Sequence, residues 1–132
     1  MRKLIFVFTI LLCTNNAHAQ NPEGLSVLDM FDQFVISKGA ALACLEPDKT
    51  LDANYDANFG IVYKKAWLRL RELKKSDVTG DQIIQTLDAR IDSLRANVAT
   101  DAQNEGCDTK AYKELINLYK YHAIWNPFPS GS

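Results

Sequence analysis

Between Thr79 and Gly106 the apolar residues recur only at helical spacing. Ile83, Ile84, Leu87, Ile91, Leu94 and Val98 fall within an arc of about 100° on a helix of 3.6 residues per turn. Asp81, Asp88, Asp92 and Arg95 lie outside that arc. A strand buries every second residue, so this spacing cannot serve one. Strand-like alternation is scarce elsewhere too, and the chain is expected to be all-α.

Punctuation marks out three further helices. Ser26, with Asp29 three residues on, forms an N-terminal capping arrangement. Leu28, Phe31, Phe34, Val35 and Leu42 then give one broad apolar side. Pro47 ends this helix and leaves Cys44 at or near its last turn. A second helix is expected to start between Leu51 and Asp56 and to run to Lys75, with Phe59, Val62, Tyr63, Ala66, Leu70 and Leu73 on one face. Gly60 weakens it by about 1 kcal/mol relative to alanine. Thr79 and Gln82 fit a capping box that opens the third helix. Gly106 suits a left-handed cap at its end. Asp108 can cap a fourth helix, from about Thr109 to Trp125, with Tyr112, Leu115, Ile116, Leu118 and Tyr119 inward and Pro127 as its stop. Four helices with short connections predict a small antiparallel four-helix bundle.

Residues 1–19 stand apart from this plan. Arg2 and Lys3 precede an apolar run over residues 4–12, broken only by Thr9, and Ala17-His18-Ala19 precedes Gln20. A charged start, a short apolar stretch and a small-x-small cleavage site read as a secretory signal peptide. The run is too short to span a bilayer, which takes roughly 20 residues. Cys13 raises a rival reading as an acylated lipoprotein, but Leu12 stands where a small residue is wanted. The expected mature product, residues 20–132, is a single soluble helical domain, periplasmic or secreted, with no membrane insertion after cleavage.

Cys44 and Cys107 remain after cleavage. An even cysteine count in an exported domain predicts a disulfide, the alternative being two buried thiols. An up-down bundle brings the end of helix one and the start of helix four to the same end, so the pairing agrees with the topology. Loss of Arg2 and Lys3 leaves 13 basic against 16 acidic residues, a net charge of −3. That balance gives no reason to expect nucleic acid or an anionic membrane as the main partner.

Residues that could carry chemistry are few. Asp52, Asn54, Asp56 and Asn58 place oxygen at alternate positions, as a calcium loop does. With Asp52 as position one, Ala57 replaces the needed glycine and Tyr63 the bidentate glutamate, so a polar helix start is the better reading. After cleavage only His122 remains, which cannot build a multi-histidine metal site. No serine sits in a nucleophile elbow. A glycosidase carboxylate pair would need a cleft that so small a bundle scarcely provides, and no glycine-rich phosphate loop or covalent haem signature is visible. No enzyme activity, metal or cofactor is expected.

Two surfaces suit a partner protein. Lys64, Lys65, Arg69, Arg71, Lys74 and Lys75 crowd the second half of helix two. Lys64, Arg71 and Lys75 form a stripe about 40° wide, flanked by Trp67 and Leu68. Such a stripe suits an acidic groove, or else is simply a solvated face. Tyr121, Trp125 and Phe128 belong to an aromatic C-terminus that either binds a partner or folds back to plug the bundle. The leading expectation is an exported protein-binding protein, with another envelope protein as its partner, in sharper form an inhibitor or immunity protein against an envelope-acting enzyme. An accessory of an envelope secretion or conjugation system is the alternative, as is a carrier holding an apolar ligand among Phe59, Ile91, Tyr112 and Leu115.

Overall fold

Every helix starts on a side chain that answers its free N–H groups. In the computed structural model, which describes residues 26–125, Ser26 opens α1 (Val27–Cys44) and Asp48 opens α2 (Lys49–Lys74). Thr79 opens α3 (Gly80–Glu105) with the full capping box to Gln82, and Thr109 opens α4 (Lys110–Ile124). A single 3-10 turn, Lys75–Asp77, links α2 to α3. The leader assigned to residues 1–19, its cleavage point and Phe128 lie outside the described residues.

Sequence neighbours run antiparallel, and side-chain contacts fix the register. Phe34 meets Tyr55 and Phe31 meets Phe59 across α1 and α2, and Tyr63 donates to Asp88 across α2 and α3. Ser37 bonds His122 between α1 and α4. The structure is therefore an all-α antiparallel four-helix bundle, but not a symmetric ring. α1 touches the other three helices, and its contact with α3 is the most extensive. The two run parallel, with Arg90 Nε 3.0 Å from Asp32 near one end and Gly39 against Val98 near the other.

That central place explains the composition of α1. Residues 34–41 are all buried, so no polar face is left along them. A helix apolar all round must be covered all round. Ser37, Gly39, Ala40 and Ala41 keep this stretch slim. A Cβ on Gly39 would lie 3.3 Å from Val98 Cβ, so glycine there sets how closely α3 approaches. The expectation of one broad apolar side understated this, and its Leu42 is in fact 62% exposed.

At one end, Cys44 and Cys107 form the disulfide, joining the last residue of α1 to the turn before α4. Gly106 ends α3 with φ at 83°. Other boundaries differ slightly from expectation. α2 starts earlier, because Asp48 accepts from the N–H groups of Thr50 and Leu51, and α4 is capped by Thr109 rather than Asp108. Leu73 and Ile84, expected inside, are exposed, while Tyr55 and His122 prove to be among the most buried side chains.

Two stability outcomes follow from this arrangement. Replacing Cys44 and Cys107 by serine should cost about 4 kcal/mol, the chain-entropy value for closing a loop this long, measured by urea denaturation. Gly60 is exposed within α2 with nothing within 4 Å of a Cβ position. Gly60→Ala should therefore raise stability by about 0.5–1 kcal/mol in the same assay.

Candidate functional site

Lys38 is the only charge in an otherwise uncharged run over residues 34–45, and α1 buries it. A buried ammonium needs a partner. Asp52, in the first turns of α2, supplies it at 2.6 Å. Tyr119 of α4 also donates to the same carboxylate oxygen. The Lys38 ammonium lies 5.2 Å from the Tyr55 ring centre and 5.3 Å from that of Tyr119, as cation–π contacts require. The Lys38 hydrogen bond, with that of Tyr119, holds the Asp52 carboxyl below its usual range. Burial pushes the Tyr119 hydroxyl well up, and its bond to Asp52 adds to this. One polar knot thus joins three helices.

Asp52 lies in the oxygen-rich helix start that the sequence predicts. On a helix, alternate residues point about 200° apart, so Asp52, Asn54, Asp56 and Asn58 cannot converge on one ion. Asn58 instead donates to the carbonyl of His122, at 2.7 Å, satisfying a free group near the end of α4. Among the described residues, no group of three or more His, Cys, Asp or Glu side chains could hold a metal ion.

His122 is the second polar group inside. Its ring stacks on Phe34 with centres 3.8 Å apart and planes 8° apart. Ser37 Oγ donates to the Phe34 carbonyl and lies 2.9 Å from His122 Nδ1. With its one proton so used, the hydroxyl accepts from Nδ1–H, which selects the tautomer. Burial lowers the histidine pKa to about 4. This is a neutral core histidine, and the sequence offered no sign of it beyond its helical spacing from Leu115 and Tyr119.

A cleft of about 490 Å³ opens beside the Lys38 knot, walled by Leu42, Leu45, Pro47 and Leu51, with Asp52 and Tyr119 among its lining residues. A second, of about 480 Å³, lies between α1, α2 and α3 and is lined by Leu28, Phe31, Leu70 and Leu87. Neither is lined by the four residues expected around an apolar ligand. Of those, Phe59 stacks among Phe31, Phe34 and Tyr55, and Tyr112 is buried with its hydroxyl on the Val98 carbonyl.

The expected partner-binding residues fall into two groups. Lys64, Leu68 and Arg71 are exposed along the outer side of α2, and Ile61 continues the same line at 38% exposure; Lys75, expected at the end of this stripe, lies past the helix in the 3-10 turn with φ at 53°. Trp67 at their edge is half-buried. Its indole donates to the Gly80 carbonyl at 3.3 Å, and the Arg71 guanidinium covers its ring at 5.2 Å. Trp67 therefore pins the α2–α3 turn while presenting one edge outward. Tyr121 is exposed and stacks on Trp125, which in turn lies 6.4 Å from Phe34 and 6.2 Å from His122. Trp125 thus lies at the edge of the aromatic cluster. The structure does not merge the two groups. Tyr55 and Asn58, where α2 meets α4, lie roughly a quarter to a half turn around the helix from Lys64 and Leu68.

No family model matches this chain, and neither any curated protein nor any solved structure matches it.

The buried histidine makes a pH prediction. As pH falls through 6.5 the unfolded chain takes up a proton at this residue, and the folded chain does so only near 4. Stability should fall across that window, with a full loss of about 3 kcal/mol below it. His122→Phe keeps the stack and removes the proton site, so subtracting its urea midpoints from those of the wild type should isolate this slope. Asp52→Asn should cost about 1–3 kcal/mol at neutral pH, because Lys38 stays buried without its counter-charge.

Proposed function

We propose that this chain is an exported protein-binding protein that docks on an acidic surface of another protein in the cell envelope, in sharper form an inhibitor or immunity protein acting on an envelope enzyme. The observation that supports it most is the outer side of α2. Lys64 and Arg71 stand on that side, with Lys75 just past the helix end in the 3-10 turn, and none of the three makes an ion pair among the described residues. Exposed Ile61 and Leu68 lie along the same side. Only Tyr55, Val62 and Ala66 of this 26-residue helix are fully buried. Apolar residues among unpaired cations supply both area and orientation for an acidic partner.

The disulfide supports a location outside the cytoplasm. The cysteines are at bonding distance in a disulfide, a bond that persists in oxidising compartments. No described helix is long and apolar enough to cross a membrane.

The test is capture from the native envelope fraction with the oxidised protein as bait, alongside the Lys64→Glu, Arg71→Glu, Lys75→Glu triple variant. The expected result is one stoichiometric partner retained by the wild type and lost by the variant, with both proteins equally stable to urea. Equal capture by both would sink the stripe. Recovery of secretion or pilus components in place of an enzyme would move the reading to an assembly accessory.

A further inference from the structure

α4 is the shortest helix of the bundle, and it is held differently along its length. It packs on α1 and α2 and scarcely on α3. At its start, the Cys44–Cys107 bond ties the preceding turn covalently to α1. Tyr112, in its first turn, places its hydroxyl 2.8 Å from the Val98 carbonyl and 3.1 Å from Asp101, which joins this end to α3 as well. The second half has only noncovalent ties to α1 and α2. Tyr119 reaches Asp52, the His122 carbonyl receives Asn58, and the His122 ring lies against Phe34 and Ser37.

The tie at His122 is the one that mild acid can reach. The ring is neutral, with Nδ1 bonded to Ser37 and the Ser37 proton already given to the Phe34 carbonyl. A second proton would place a charge inside the bundle, where it needs a counter-charge. None is at hand. α1 offers Ser37 and, one residue on, the cation Lys38. α2 offers Tyr55 and Asn58, while its Asp52 is shared by Lys38 and Tyr119 and its Asp56 is exposed. α3 offers Arg95, another cation, whose charge reaches Tyr55. α4 itself adds Tyr119 and Tyr121. His122 is the only histidine over residues 26–125. Ordinary carboxyls stay ionised down to about pH 5, and Lys38 holds Asp52 lower still.

The other three helices do not share this dependence. α1 meets α3 at Gly39 and Val98 and at Asp32 and Arg90. It meets α2 through Phe31, Phe59 and Tyr63. No residue of α4 takes part in either set. A freed half-helix would also unwind, since isolated helices shorter than about 12–15 residues are marginal in water. We propose that His122 is an acid-released latch: a proton on its ring frees residues 117–124 of α4 from α1 and α2, while the disulfide keeps the start of the helix in place. Release uncovers Phe34 and Tyr55, the aromatic floor on which Tyr119 and His122 lie. The latch goes beyond a fall in overall stability, because it puts the loss in one half-helix and leaves three helices folded. It does not depend on the protein-binding reading.

The test is native-state hydrogen exchange of the oxidised protein, followed amide by amide in NMR at pH 7 and pH 5 and corrected for the chemical exchange rate. With the ring titrating at 6.5 when released and near 4 when latched, opening over residues 117–124 should rise about twentyfold between the two pH values. Amides of residues 59–66 in α2 and 91–102 in α3 should stay within about threefold. His122→Phe and His122→Gln cannot take the proton, and whichever of them folds should flatten the α4 response. An equal rise in all four helices would mean global unfolding and would overturn the latch. So would no rise over residues 117–124, or a rise that persists without the histidine.

Discussion

Covering α1 on every side is the requirement that the rest of the bundle answers. Residues 34–41 carry no exposed face, so one neighbour could not bury them. α2 and α4 run antiparallel on two sides and α3 runs parallel on another. Phe34 concentrates this: it is fully buried and lies against Tyr55 and Phe59 of α2, His122 of α4 and Trp125 just beyond it. The small residues of α1 serve the same end, since Gly39 lets α3 come close enough for Val98 to seal the remaining side.

A helix buried all round must also satisfy its own polar residues internally. Lys38 is matched to Asp52, and Ser37 to the Phe34 carbonyl and His122. Asp52 belongs to α2 and His122 to α4, so these polar groups align elements that the apolar contacts would allow to slide. The Lys38 knot lies near the disulfide end and the histidine pair about midway. Beyond the last of these ties, toward the α2–α3 turn, packing thins and the long hairpin projects. Among the described residues, the burial of Phe34 and the exposure of Leu73 and Ile84 thus both go with the shortness of α1 and α4.

The exposed lysines and arginines of α2 lie toward that less constrained end. Trp67 holds the turn by its bond to Gly80 and leaves the surrounding lysines and arginines to solvent. The outer stripe could be read from i, i+4 and i+7 spacing alone, because exposure on a long helix follows directly from periodicity. The exposure of Leu73 could not. Leu73 has the periodicity of a core residue, and only the end of its neighbours makes it a surface one.

By itself the sequence determined what is local: the four helices, the Ser26 and Thr79 caps, the stop at Gly106 and the all-α class. It also supported the Cys44–Cys107 pairing, since an antiparallel bundle brings those two turns together. These follow from spacing, capping chemistry and backbone preference within a few residues. Only the tertiary structure decided which helix is central, because a mixed run containing Ser37, Lys38 and Gly39 has no single-helix signature of burial on all sides. Partners for Lys38 and His122 were likewise beyond reach. Asp52 and Tyr119 are distant in the chain from the lysine they hold, and a buried charge declares that it needs a partner without saying which one. Leu42, Leu73 and Ile84 failed as core residues for the same reason. Periodicity gives the direction in which a side chain points, and only the packed neighbours decide whether anything is there to meet it.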